Sequence, residues 1–121
     1  MGKVETNKKQ KNTTLLQTSF ELFTEKGFTK TTISDIVNRA GLAKGTFYLY
    51  FKDKYDLRDR LVTYKTSQLF GNAHTALIEQ NIQGFENQMF FVIDHIIDRL
   101  EKEPKLLQFI SKNLSWGIFK N

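Results

Sequence analysis

TISDIVNRAGLAKGTFYLYFKDK, Thr32 to Lys54, contains two short runs of helical spacing separated only by Gly41, Leu42 and Ala43. The first opens on Thr32, whose hydroxyl can accept from the unpaired N–H groups of a first helical turn, and Asp35 stands where a capping-box partner reaches back. Ile33, Ile36, Val37 and Ala40 then fall on one face. Gly41 closes the run, because a helix end often needs a residue in the left-handed conformation. With Ala43 as N-cap of the second run, Leu42 precedes the cap and Phe47 is the fourth helical residue. That is the spacing of a hydrophobic staple, which fixes the angle at which a helix enters. Two short helices joined by a tight turn containing Gly outline a helix-turn-helix.

A helical wheel sorts the aromatic residues of the second run. At 100° per residue from Lys44, Phe47 and Phe51 fall within about 40° of one another and can pack together against the preceding helices. Lys44, Gly45, Thr46, Tyr48, Leu49 and Tyr50 spread over the remaining arc, where too few apolar neighbours remain to bury them. Tyrosines there keep a ring and a hydroxyl able to reach a phosphate oxygen or lie against a thymine methyl. Gly45 removes a side chain where a backbone has to come close. The alternative, that every aromatic residue of a helix is core, accounts for Phe47 and Phe51 and leaves Lys44, Tyr48 and Tyr50 exposed without a reason.

Upstream, a helix is predicted from Asn12, with Leu16, Phe20 and Phe23 on its apolar stripe and Gly27 as its end; Phe28 can fold back onto Leu22 or Phe23. The expected core of this region is Phe20, Phe23, Ile36, Val37, Phe47 and Phe51. Downstream, Asp53 reads as the N-cap of a fourth helix that runs from Lys54 through Leu57, Leu61 and Tyr64 to Leu77. Lys54 at its first position is an unusual place for a cation unless a phosphate lies beside it. After a polar break at Asn81 to Gly84, Met89, Phe90, Val92, Ile93, Ile96, Ile97 and Leu100 give the strongest amphipathic signal, with Asp94, Asp98 and Glu101 on the wet side. Pro104 opens a last helix carrying Leu106, Leu107, Phe109, Ile110 and Leu114. No strand pattern or repeat is present, so the expected fold class is all-α.

Composition narrows the function. The chain has 121 residues, no Cys, and a net charge of +5. Residues 1–60 hold twelve Lys and Arg against seven acids, while residues 61–121 balance six against six. A polyanion would therefore meet the first half. Without Cys there are no disulfides, thiolate nucleophiles or Cys-based metal sites. No apolar run approaches the roughly 20 residues that span a bilayer, and no signal-peptide core follows the N-terminal lysines. The expectation is a cytoplasmic protein with no membrane partner and no cofactor.

The run from about Thr14 to Leu57, above all TTISDIVNRAGLAKGTFYLYFKDKYDL (Thr31 to Leu57), closely resembles the DNA-binding domain of the tetracycline-repressor (TetR) family of bacterial transcription regulators. Gly41, the Gly45-Thr46-Phe47-Tyr48 run, Tyr50-Phe51 and Lys52-Asp53-Lys54 carry the match. The resemblance implies a three-helix DNA-binding unit, here residues 12–54, after a flexible basic tail of residues 1–11 and before a helical regulatory core in residues 55–121. It implies a homodimer reading a near-palindromic double-stranded DNA operator through its third helix, and a repressor released by a small-molecule effector. Carried over by residue, Lys44, Gly45, Thr46, Tyr48 and Leu49 face bases and neighbouring phosphates. Thr32, Tyr50 and Lys54 hold the backbone, and Ser34 reaches a base edge. Ala43 departs from the Ser often found before this helix. Family members are longer than this chain, so the expected regulatory core is incomplete, a view to which the apolar ending Trp116 to Phe119 adds.

Phe85, Met89, Phe90, Phe109 and Trp116 are candidates to line an effector pocket, although aromatic residues at helical spacing are more often plain core. A non-specific nucleoid-type DNA-binding protein is the alternative, with the Lys3 to Lys11 segment supplying charge and no base readout. An enzyme is not expected. His95 and Asp98, at i and i+3, sketch a metal or acid–base pair, yet no third ligand has matching spacing.

Overall fold

The computed structural model describes the backbone of residues 2–119 and the side chains of residues 7–113. Within them are six helices and no strand: α1 (Gly2–Lys26), α2 (Ile33–Ala40), α3 (Lys44–Tyr50), α4 (Lys54–Glu79), α5 (Phe85–Lys102) and α6 (Pro104–Phe119). The chain divides into two compact units that meet between Leu61 and Val62, inside α4. The all-α expectation holds.

In the first unit, α1 lays Leu15, Leu16, Ser19, Leu22 and Phe23 on one buried stripe, the i, i+1, i+4, i+7, i+8 pattern of a core-facing helix. Phe20 is half-buried, which corrects its assignment to the core. It stands about 40° beyond Leu16, at the stripe's edge. The start of α1 also departs from expectation. Helix continues back through residues 2–11, which were expected to form a tail. That segment is built of Lys, Gln, Glu and other residues that a helix tolerates, without the apolar periodicity that marks a helix in sequence.

Gly27 (φ 86°) ends α1, and the chain turns so that Phe28 meets Phe23 edge-on, ring centroids 5.2 Å apart. Thr31 is fully buried, and its hydroxyl donates to the Gly27 carbonyl at 2.7 Å. The expected capping box opens α2: the Asp35 N–H donates to the Thr32 hydroxyl, and the Thr32 N–H donates to the Asp35 carboxylate, both at 3.0 Å. Gly41 (φ 72°) closes α2 as a Schellman motif, with its N–H donating to the Asn38 carbonyl and the Leu42 N–H to Val37. Ion pairs from Lys26 to Asp35 and from Arg39 to Glu25 hold α2 on α1. Asp53 caps α4, accepting from the Asp56 N–H at 2.8 Å.

The Thr32 backbone N–H, then the Lys26 ammonium and the Thr32 hydroxyl, hold the Asp35 carboxyl at about 2, below its usual 3.8. A carboxylate whose pKa is lower in the folded state stabilises fully above the ordinary carboxylate value, and that contribution is lost as pH falls toward the folded value. Thermal melts between about pH 5 and pH 2 should therefore show a steeper loss of Tm for the wild type than for Asp35→Asn. Parallel curves would remove Asp35 from the acid sensitivity of the fold.

In the second unit, α6 buries Leu106, Phe109 and Ile110. The described side chains of α5 are otherwise disposed than the sequence signal suggests, for none of them is buried. Gln88, Phe91, Val92, His95, Ile96 and Leu100 form its half-buried face, while Met89, Phe90, Ile93 and Ile97 are exposed. The α4 helix ends in a second Schellman turn at Asn81 (φ 53°), where the Ile82 N–H donates to the Leu77 carbonyl.

Candidate nucleic-acid interface

Seven residues make α3, and two aromatic rings seat it. Phe47 is 0% exposed and Phe51, just past the helix, 2%. Their centroids lie 5.5 Å apart. The opposite face is open: Lys44 and Gly45 are exposed, Tyr48 is 52% exposed and Leu49 79%. Thr46 and Tyr50 are half-buried at its margins. The Tyr48 ring stands edge-on against Phe47, centroids 5.2 Å apart, so a buried ring sets the direction of an exposed one. A Cβ added at Gly45 would meet nothing within 4 Å, and its backbone is not left-handed. The fold itself therefore does not require glycine there. Ala43 caps α3 without a side-chain hydrogen bond, and the Thr46 N–H donates to its carbonyl at 3.0 Å.

At the start of α2, Thr32 and Ser34 are both exposed. The Thr32 hydroxyl accepts from Asp35 and keeps its own O–H for another acceptor. Exposed Lys30 and Lys44 have no ion-pair partner among the described residues.

Lys54 is placed differently from the sequence expectation of a phosphate contact. Its ammonium donates to the Phe28 carbonyl at 2.7 Å and the Thr31 carbonyl at 2.8 Å. It also lies over the Phe28 ring, 4.3 Å from the centroid, with Arg58 on the same ring at 4.7 Å. Burial, and then the charge of Arg58, push its pKa down. The residue thus pins the first turn of α4 to the loop between α1 and α2. Spacing along the chain could not show this, because the two carbonyls lie 26 and 23 residues away.

The structure does not gather the sequence's pocket candidates into one buried lining. Phe85, Met89 and Phe90 are exposed on α5, Phe109 is buried on α6, and Trp116 lies outside the described side chains. His95 stacks on Phe91 at 6.0 Å, and Asp98 pairs with Lys102 at 3.0 Å. No cluster of three His, Asp or Glu suited to a metal occurs among the described residues, and no described helix is long and apolar enough to cross a membrane.

A short helix held by buried rings at a fixed angle to its predecessor, through a Schellman turn, makes residues 33–50 a helix-turn-helix. Residues 15–61 match the sequence profile of "Bacterial regulatory proteins, tetR family". An uncharacterized HTH-type transcriptional regulator of Bacillus subtilis, YvdT, is 45% identical over 64 residues, half of this chain and 33% of the relative. A TetR family transcription regulator from Marinobacter aquaeolei superposes with a TM-score of 0.74 at 19% identity, over 88% of this chain and 55% of that one. The fatty acid degradation regulator FadR from Bacillus halodurans does so with a TM-score of 0.67 at 22% identity, covering 87% and 60%. Over residues 15–61 this chain is therefore similar to the DNA-binding region of tetR-family regulators. It spans about a third of the length of YvdT and little more than half of either solved structure.

Proposed function

We propose that this chain carries the DNA-reading end of a cytoplasmic transcription regulator, with α3 in the major groove of an operator. The observation that carries the reading is the division of α3 into a locked inner face, Phe47 and Phe51, and an outer face of Lys44, Gly45, Tyr48 and Leu49 exposed to solvent. Tyr48 and Leu49 beside Lys44 supply this helix with both base-edge and phosphate chemistry. In this reading Thr46, Tyr48 and Leu49 meet base edges and thymine methyls, and Lys44 meets a phosphate or a guanine edge. Gly45 lets the backbone close in. Thr32 and Tyr50 grip phosphates and Ser34 reaches a base. Two copies reading a near-palindrome, repression, and release by a small-molecule effector complete the proposal. The second unit is where the effector acts, and exposed Phe85, Met89 and Phe90 offer it apolar surface.

Selection of duplexes from a randomised pool, followed by fluorescence anisotropy on the selected and a scrambled duplex at two salt concentrations, tests this. Preference for the selected duplex is expected. Tyr48→Ala should cost about 1–3 kcal/mol of that affinity, with binding measured well below the variant's own Tm. Equal, salt-sensitive binding to both duplexes would favour a nucleoid-type protein, and an unchanged Kd for Tyr48→Ala would remove α3 from the groove.

A further inference from the structure

The first buried residue described in α1 is Leu15, so the helix runs on before the core for residues 2–14, about 20 Å at 1.5 Å per residue. One face of that extension is built in an unusual way. Asn7, Gln10, Lys11 and Thr14, spaced i, i+3, i+4, i+7, form one wall of an open groove of about 200 Å³. Ala40 and Leu42, from the end of α2 and the turn into α3, form the other. A helix laid against Ala40 and Leu42 for stability alone would carry apolar residues at those four positions. Here it carries two amides, an ammonium and a hydroxyl, all able to donate hydrogen bonds. Lys9, Gln10, Thr13 and Thr14 line an adjoining recess of about 540 Å³. Lys8, Lys9 and Lys11 are exposed, and none has an ion-pair partner among the described residues. The groove reaches Leu42, two residues before exposed Lys44 of α3, so its donors border the turn into the recognition helix.

We propose that this end of α1 grips the sugar–phosphate backbone flanking the site read by α3, which makes Lys11 of the groove and Lys9 of the recess, with neighbouring Lys8, part of the DNA contact and lengthens its footprint. The inference rests on the DNA-binding reading above. Its partner is identified by charge: the net charge of +5 lies wholly in residues 1–60, and the donors from Asn7 to Thr14 lie along about 10 Å of helix, about three base pairs of B-DNA. Phosphates, unlike base edges, carry no sequence information, so the contact adds affinity and leaves the preferred site unchanged.

The test uses the full chain, the duplex it selects, and the same duplex trimmed of about three flanking base pairs on each side. A triple variant, Lys8→Gln, Lys9→Gln and Lys11→Gln, keeps helix propensity nearly constant. On the long duplex it should lower the salt slope, −d log K/d log [salt], by about two to three for each bound copy and weaken binding at least about tenfold near physiological salt. Trimming should cost the wild type the same amount and the variant nothing further. Wild-type-like binding by the variant on the long duplex would overturn the inference and leave the DNA-binding reading standing. So would an equal loss on long and trimmed duplexes, which would show net charge at work instead of a flanking contact. If the wild type itself selects no duplex, the DNA-binding reading falls and this inference falls with it.

Discussion

Phe47→Ala should destabilise the first unit by about 3–5 kcal/mol, the loss expected when a fully buried aromatic side chain leaves a cavity. Phe47 is 0% exposed and its ring meets both Tyr48 and Phe51. The ring is also what seats a helix of only seven residues, far too short to hold its shape in water unaided. The whole stability of a small domain is about 5–15 kcal/mol, so the variant should melt far below the wild type and lose DNA binding with its fold. Chemical denaturation followed by circular dichroism checks this, and Phe47→Leu, which keeps most of the volume, should recover most of the loss. A melting curve for Phe47→Ala close to the wild type would place the ring outside the core.

Lys54→Met should be the next most damaging change, at about 2–3 kcal/mol. Methionine keeps the stem of the side chain and removes the ammonium, leaving the Phe28 and Thr31 carbonyls without a charged donor. Hydrogen bonds to charged groups contribute roughly 1.5–3 kcal/mol, and a buried acceptor left unpaired adds its desolvation cost. Urea titration reads the stability. The salt slope of DNA binding reads the other possibility: with the ammonium turned onto the protein's own carbonyls, the slope should stay at its wild-type value. A stable variant whose slope falls by about one would place Lys54 on a phosphate.

Most of the helix-turn-helix was legible because its signals are local. Thr32 with Asp35, Gly41 with Leu42, and Phe47 with Phe51 lie within one or two helical turns of each other, and their chemistry acts at that distance. Phe20 was misplaced by phase alone, since Leu15 and Ser19 centre the stripe and carry Phe20 to its edge. The helical segment before Asn12 gives no apolar period to read, although its polar stripe proves to face the turn into α3. Lys54 depended on where the chain returns in space, which no periodicity records. On α5 the apolar residues are spread around more than half of the helix, so periodicity found a helix but could not decide which side turns inward.

The central claim is that the outer face of α3 exists for a partner that comes close, and Gly45→Ala tests it most directly. Glycine within a helix is less favourable than alanine by about 0.5–1 kcal/mol, and the added Cβ meets nothing in the protein. The account predicts a variant that melts at or above the wild-type temperature and yet binds its selected duplex at least about tenfold more weakly, because the methyl stands where the DNA must approach. A variant that is equally or more stable and binds that duplex with wild-type affinity would contradict it.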